Sequence, residues 1–226
     1  MQNEMTRRAV VKGAAVMGAA AAASSFMPGT ASAASKGKTK KIPTSANGWP
    51  IEREANHVST VWSRPVAGTG LDVEVRIGDV EAILVHVIRR FHYEVQEIPR
   101  VDLAGWREIG KLRASLPESN LASGTAVQIR PGASAKGGFF PAQEMVLRDI
   151  LADCEGVVRW GGDDTEVNES LFYIDRGPND EQVRKLADKL RAGEATPGEG
   201  AGVNVDVRTP SRRNRADRLA RTQRSA

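Results

Sequence analysis

Apolar residues recur along this chain with two spacings, and the switch between them marks out helices and strands. Val80, Ile83, Leu84, Val87, Ile88, Phe91 and Val95 follow one another at three- and four-residue steps, which predicts one amphipathic helix over Asp79 to Val95. Pro141 suits the first turn of a second helix. Its apolar face is Leu147, Ile150, Leu151 and Cys154, and Gly156 stops it. A third helix is predicted to begin near Asn179, with Gln182 as a capping-box partner and Val183, Leu186, Ala187 and Leu190 on its inner face. The spacing is two residues from Leu71 to Ile77: Leu71, Val73, Val75 and Ile77 point one way, Asp72, Glu74 and Arg76 the other. Thr125 to Ile129, Val157 to Trp160 and Leu171 to Ile174 are short apolar runs that fit sheet strands. Their turns are Pro131-Gly132, Gly137-Gly138 and Gly161-Gly162. Helices and strands mix without a strand–helix–strand rhythm, so the pattern predicts an α+β domain with a mostly antiparallel sheet.

Composition places boundaries around this patterned region. Residues 47–190 hold the periodic segments and all four tryptophans, a length that builds one ordinary domain. Residues 34–46 are Lys-rich and polar and read as a flexible basic linker. Residues 191–226 are rich in Gly, Ala and Arg with few apolar side chains, and read as a disordered tail. Charge separates in the same way. Lys36, Lys38, Lys40 and Lys41 face no acid in the linker, and the tail has 8 basic against 4 acidic residues, whereas residues 47–190 have 17 against 23. The basic balance therefore comes from the ends. A nucleic-acid-binding domain would want a folded basic face with aromatic platforms, so that class is set aside. The seven arginines between Arg208 and Arg224 suit a solvated tail, or contact with anionic wall polymers or lipid headgroups.

The first residues form a targeting segment. Thr6-Arg7-Arg8-Ala9-Val10-Val11-Lys12 resembles a twin-arginine export signal, an apolar run follows from Gly13 to Phe26, and Ala31-Ser32-Ala33 supplies a cleavage site with Ala34 as the mature start. An uncleaved membrane anchor is the competing reading, but the run is short for a span and consists mostly of Ala and Gly. Cleavage would leave no membrane span and an extracellular or wall-associated protein. Cys154 is the single cysteine, so no intrachain disulfide forms, and a lone Cys in an apolar helical pattern reads as a buried hydrophobe.

Candidate chemistry begins at Ser119-Asn120-Leu121-Ala122-Ser123-Gly124-Thr125-Ala126-Val127-Gln128. This stretch resembles the Ser-x-His-x-x-Gly-x-Ala-x-Asp signature of the zinc D-alanyl-D-alanine carboxypeptidases and dipeptidases, the M15-type peptidases of the Hedgehog/DD-peptidase superfamily. Ser119, Gly124 and Ala126 match. The likeness continues through Ala46-Asn47-Gly48-Trp49-Pro50, Arg89-Arg90-Phe91-His92, Gly105-Trp106-Arg107, residues 156–163 and Asn168-Glu169-Ser170-Leu171-Phe172-Tyr173-Ile174. It implies a single Hedgehog/DD-peptidase-like domain and, in active members, a zinc ion held by two His and one Asp, with a carboxylate as general base. At those positions this chain carries Leu121, Leu171, Gln128 and Asn168. Zinc takes N, S or O ligands and keeps a position open for water, whose pKa it lowers. Leucine has no lone pair to offer, and Asn168 accepts no proton at neutral pH. The other histidines do not rebuild the set. His86 and His92 point about 120° apart on one helix. His86 lies opposite the apolar stripe and reads as solvated, while His92 flanks it and reads as hydrogen-bonded core. Asp163, Asp164, Glu166 and Glu169 lack the spacing of a calcium loop and read as a solvated turn.

The resemblance then implies an exported relative of DD-peptidases that keeps the cleft without the metal. It leans away from an enzyme, needs no cofactor, and would bind peptidoglycan stem peptides or another envelope ligand. Arg107 and Ser119 are the candidate ligand contacts. Two alternatives stand beside it. One is an active D-Ala-D-Ala carboxypeptidase-like wall hydrolase with an unrecognised site, the only case that calls for zinc. The other is an envelope interaction protein that works through its Arg-rich tail.

Overall fold

The computed structural model describes residues 42–110, 112–133 and 135–225. The segment read as an export signal, with its apolar run and expected cleavage site, and the lysines at 36–41 lie outside the described residues. The described chain is α+β, and every strand pairing in it is antiparallel. Strands β1 (Val61–Val66) and β2 (Leu71–Arg76) form a hairpin. Helix α1 (Asp79–Arg90) follows and passes into a π-helical turn at Phe91–Val95, so the predicted rod is present with its last turn widened. Strands β3 (Leu103–Ala104), β4 (Ala126–Ile129), β5 (Val158–Trp160) and β6 (Leu171–Ile174) make a second sheet in the order β3-β4-β6-β5. Helices α2 (Pro141–Asp153), α3 (Glu181–Ala195) and α4 (Pro210–Arg224) complete the chain. No described helix is long and apolar enough to cross a membrane.

The pleat divides the four-stranded sheet into two faces. Val127 opposes Phe172, Trp160 opposes Phe172 from the other side, and Val158 opposes Ile174. Directly paired residues share a face, and this set joins the α1 stripe, Leu147, Ile150 and Leu151 of α2, and Val183, Leu186 and Ala187 of α3 in one buried cluster. Phe172, Phe91, Phe139 and Trp160 run through it as edge-on aromatic pairs about 6 Å apart at their ring centres. Ala126, Gln128, Leu171 and Tyr173 point to the opposite side.

Several expectations need correction. Strand β1 was not anticipated, because Pro65 and Arg64 interrupt its pattern and only Val61 and Val66 are buried. The third helix is capped by Asp180 rather than Asn179: the Asp180 carboxylate accepts the Gln182 N–H at 2.7 Å. The basic linker ends before residue 43, since Thr44 bridges to Pro50 and Ser45 is buried, its Oγ 2.9 Å from Ser123 Oγ. Residues 191–225 are not a disordered tail. Residues 191–195 finish α3, and α4 lies antiparallel on α2. Arg212 donates to both oxygens of buried Asp149 (2.8 and 2.6 Å) and to Asp153 (2.7 Å). Arg215 also reaches Asp153, and Arg224 donates to buried Asp163 at 2.9 Å. The buried part of α4 is Ala216, Ala220 and Gln223, whose amide donates to the Val158 carbonyl at 2.9 Å. Small residues and ion pairs dock this helix, so no apolar stripe announces it.

Candidate functional site

Three segments meet over the outer face of the sheet: the 3₁₀ turn Pro117–Leu121, the strand ends at Gln128 and Leu171, and the stretch after β3 that carries Arg107. Close backbone approaches set two of them. Gly105 lies against β2, where an added Cβ would sit 2.2 Å from the Glu74 carbonyl oxygen, and the next N–H, of Trp106, donates to that oxygen at 2.7 Å. This fixes where Arg107 begins. Gly161 meets Asn168 in the same manner: a Cβ there would fall 2.5 Å from the Asn168 carbonyl oxygen, and the Asn168 N–H donates to the Gly161 carbonyl at 2.9 Å.

The four positions where the resemblance expects a metal and a base come to this face. Leu121 and Leu171 are fully buried together, with Ala126 and Tyr173, in an apolar cluster separate from the main core. Gln128 stands directly across from Leu171 and on the same face. Asn168 lies three residues before Leu171 and is half-buried. Two leucines and an amide do not fit zinc: neither leucine can donate an electron pair, and the Gln128 carbonyl already accepts from a guanidinium. Among the described residues no three His, Cys, Asp or Glu side chains gather as a metal site.

What the face holds instead is an ordered row of hydrogen bonds. Arg107 Nη2 donates to Gln128 Oε1 at 3.1 Å, and Gln128 Nε2 donates to Ser170 Oγ at 3.3 Å. Ser170 Oγ donates to Asn168 Oδ1 at 2.7 Å, and Asn168 Nδ2 donates to Glu118 Oε1 at 3.3 Å. Every step runs donor to acceptor in one direction, from an exposed cation to a half-buried carboxylate. A row with a single polarity strengthens its members in a low-dielectric setting. Its middle members are amides and a hydroxyl, so none of them takes a proton at neutral pH. Ser170 is buried and donates to an amide oxygen rather than to a base, the wrong arrangement for a nucleophile. Arg107 has no carboxylate partner among the described residues and stays available to a ligand at its outer edge.

Ser119 is a correction. It is fully buried, its Oγ donates to the Ala114 carbonyl (2.9 Å) and accepts from the Ala46 N–H (2.9 Å), and it cannot meet a ligand. It ties the segment entering the domain to the 3₁₀ turn, beside Asn47, which donates to the Ile174 carbonyl at 2.8 Å. The acids after β5 are not a solvated turn. Asp163 is bound by Arg148 and Arg224, Asp164 accepts from Arg159 at 2.8 Å and from Tyr173 at 3.0 Å, and Glu169 accepts the N–H groups of Gly137 and Gly138 at 2.7 and 2.8 Å. Only Glu166 faces solvent. Burial and the neighbouring Asp164 carboxylate push the Tyr173 phenol well above its usual range. Burial pushes the Cys154 thiol up to about 12, which removes it as a nucleophile.

The histidines stay apart. His57 is exposed beside Glu54, and His92 accepts the Ile98 N–H at 3.1 Å as a half-buried core residue. His86 departs from expectation. It is buried under α3, and neither ring nitrogen has a partner among the described residues. Burial first, then the adjacent Arg90, pushes its pKa down to about 4. Sequence reasoning named Arg107, Gln128 and Asn168 but missed Glu118 and Ser170, which close the row. The available signal was adjacency: Glu118 precedes Ser119 and Ser170 precedes Leu171. No protein-family model, curated protein or solved structure matches this chain.

Proposed function

We propose that this chain is an exported, non-catalytic domain with the frame of a DD-peptidase, which binds a peptide-type ligand of the cell envelope on the outer face of the β4–β6 pair. Peptidoglycan stem peptides are the ligand class that the resemblance suggests. The observation that carries the reading is the row from Arg107 to Glu118. It presents a free cationic edge at Arg107 and a half-buried amide and carboxylate at Asn168 and Glu118, groups that suit the carboxylate and amides of a peptide, held in place through buried Gln128 and Ser170. Beneath it, Leu121 and Leu171 fill the place where ionic ligands would be costly to bury without a metal. The same residues supply neither a metal-activated water nor a base to use it.

The test is a stem pentapeptide ending in D-alanyl-D-alanine, offered to the purified protein with zinc present. The expected outcome is saturable binding in calorimetry, weakened at least about tenfold by Arg107→Ala, as befits loss of a charge-assisted contact. Release of D-alanine, dependent on added metal and on a residue of this face, would replace the reading with the hydrolase. The export step has its own measurement. A mature N-terminus at Ala34 in the extracellular fraction, lost on changing Arg7 and Arg8 to Lys, is the result expected.

A further inference from the structure

The seven arginines between Arg208 and Arg224 divide into two sets. Arg212, Arg215 and Arg224 turn inward and bind the carboxylates of Asp149, Asp153 and Asp163. Arg208, Arg213, Arg218 and Arg221 are exposed, and among the described residues they make no ion pair and no side-chain hydrogen bond. On the outer side of α4 the one acid is Asp217. The fold therefore uses three of these arginines on its own acids and leaves four, against the single carboxylate of Asp217, as a net cationic surface.

Exposed apolar groups stand at the edge of that surface. Arg213 and Arg221 line a groove between α4 and α2 together with Pro141, Met145 and Asp217, and the other acids there, Glu144 and Asp149, are held by Arg148, Arg224 and Arg212. Met145 is 37% exposed, and Phe140, adjoining Pro141 at the start of α2, is 76% exposed. Because the helices run antiparallel, Phe140 lies at the end of α4 that carries Arg221. An exposed phenylalanine costs solubility and contributes nothing to the fold it leaves. Cations for phosphates beside an apolar edge for the acyl boundary is the composition of a peripheral membrane face.

We propose that the outer face of α4, with Phe140 and Met145, docks this protein on a bilayer surface that carries anionic headgroups. Arg213, Arg218 and Arg221 meet lipid phosphates, and Phe140 enters the headgroup–acyl boundary. Docking needs no unfolding, because the inner arginines keep α4 fastened to α2 throughout. A soluble polyanion would use the arginines but would have no use for Phe140, which is why a bilayer is the partner the surface fits better.

Sedimentation of the full chain with vesicles tests this directly. Wild type is expected to partition onto phosphatidylcholine–phosphatidylglycerol vesicles and not onto phosphatidylcholine alone, with partitioning that falls as salt rises. Each arginine near an anionic surface contributes about fivefold, so the combined Arg213→Ser, Arg218→Ser, Arg221→Ser variant should lose at least about tenfold. Its circular dichroism should be unchanged, since none of the three is bonded to the fold. Phe140→Ser, which touches no charge, should weaken partitioning while its salt dependence stays as in wild type. Equal partitioning onto both vesicle types would overturn the proposal. So would a triple variant or a Phe140→Ser protein that partitions like wild type, the outcome expected if the lysines at 36–41 do the work. Binding to polyphosphate with none to vesicles would identify a soluble polyanion and overturn it as well.

Discussion

The inner and outer faces of the β3-β4-β6-β5 sheet are written in alternate residues of the same strands, and they are built on opposite terms. Val127, Phe172, Ile174, Val158 and Trp160 on the inner face are sealed by α1, α2 and α3, and their one polar side-chain atom, the indole nitrogen of Trp160, donates to the Glu169 carbonyl at 2.8 Å. One residue out of step, Gln128 and Leu171 on the outer face lie between a polar row and a small apolar cluster. The inner face is a stability element, where volume and shape decide the energy. The outer face keeps donors and acceptors in a fixed order, buried at Gln128 and Ser170, half-buried at Asn168 and Glu118 and exposed at Arg107, an arrangement that adds little to folding and suits recognition at its open ends. The lesson is that a two-residue period carries two jobs at once, and only the apolar half can be read from hydrophobicity.

The comparison can be strained first where the effect is largest. Phe172→Ala removes a ring packed edge-on against Phe91 and should cost about 3–5 kcal/mol in urea denaturation. Ser170→Ala, on the adjoining residue but in the polar row, should cost about 1 kcal/mol. Equal losses would mean the two faces are not different in kind.

The helical layer over the inner face offers a pH test. His86 sits between α1 and α3 with no hydrogen-bond partner among the described residues, near Arg90, Arg89, Asp153 and Glu194. Its folded pKa of about 4 lies below the ordinary value of 6.5, so between those limits the unfolded chain binds the extra proton. Stability should therefore be complete above pH 6.5 and fall as pH drops toward 4, by about 3 kcal/mol in all. His86→Leu should flatten that slope relative to wild type. A variant with the same slope would show that other groups set it.

A smaller effect separates α3 from α4. Arg212→Ala should cost about 2 kcal/mol by removing charge-assisted bonds to Asp149 and Asp153, and should make the region near residues 210–224 the first to exchange its amides. Leu186→Ala in α3 should cost more, because it empties part of the shared core.

Legibility in the sequence follows the same division. The α1 stripe, the α2 face and strand β6 were read almost to the residue, because burial against one core imposes a period. Strand β1 escaped because two of its six residues are buried, and α4 escaped because alanines and arginine–carboxylate pairs replace an apolar stripe. His86 was misread for a related reason: a helical wheel finds the principal buried side of α1 but not the second side, which α3 covers. At the candidate site, Arg107, Gln128, Asn168, Leu121 and Leu171 could be singled out by resemblance, and their position over one sheet face could not have been read from composition. Ser119 carried the motif and proved to be buried structure. Glu118 and Ser170 joined the site only once strands and turn came together, since the row bonds residues up to fifty positions apart in the chain.

The most direct measurement of the central claim is a titration of isotope-labelled protein with the stem pentapeptide, followed by nuclear magnetic resonance. The side-chain amide signals of Gln128 and Asn168, and the backbone signals of Arg107, Glu118 and Ser170, should move together to saturation while the peptide's terminal D-alanine stays attached. Movement confined to other parts of the molecule, or free D-alanine accumulating in the tube, would contradict a binding face that does not cleave.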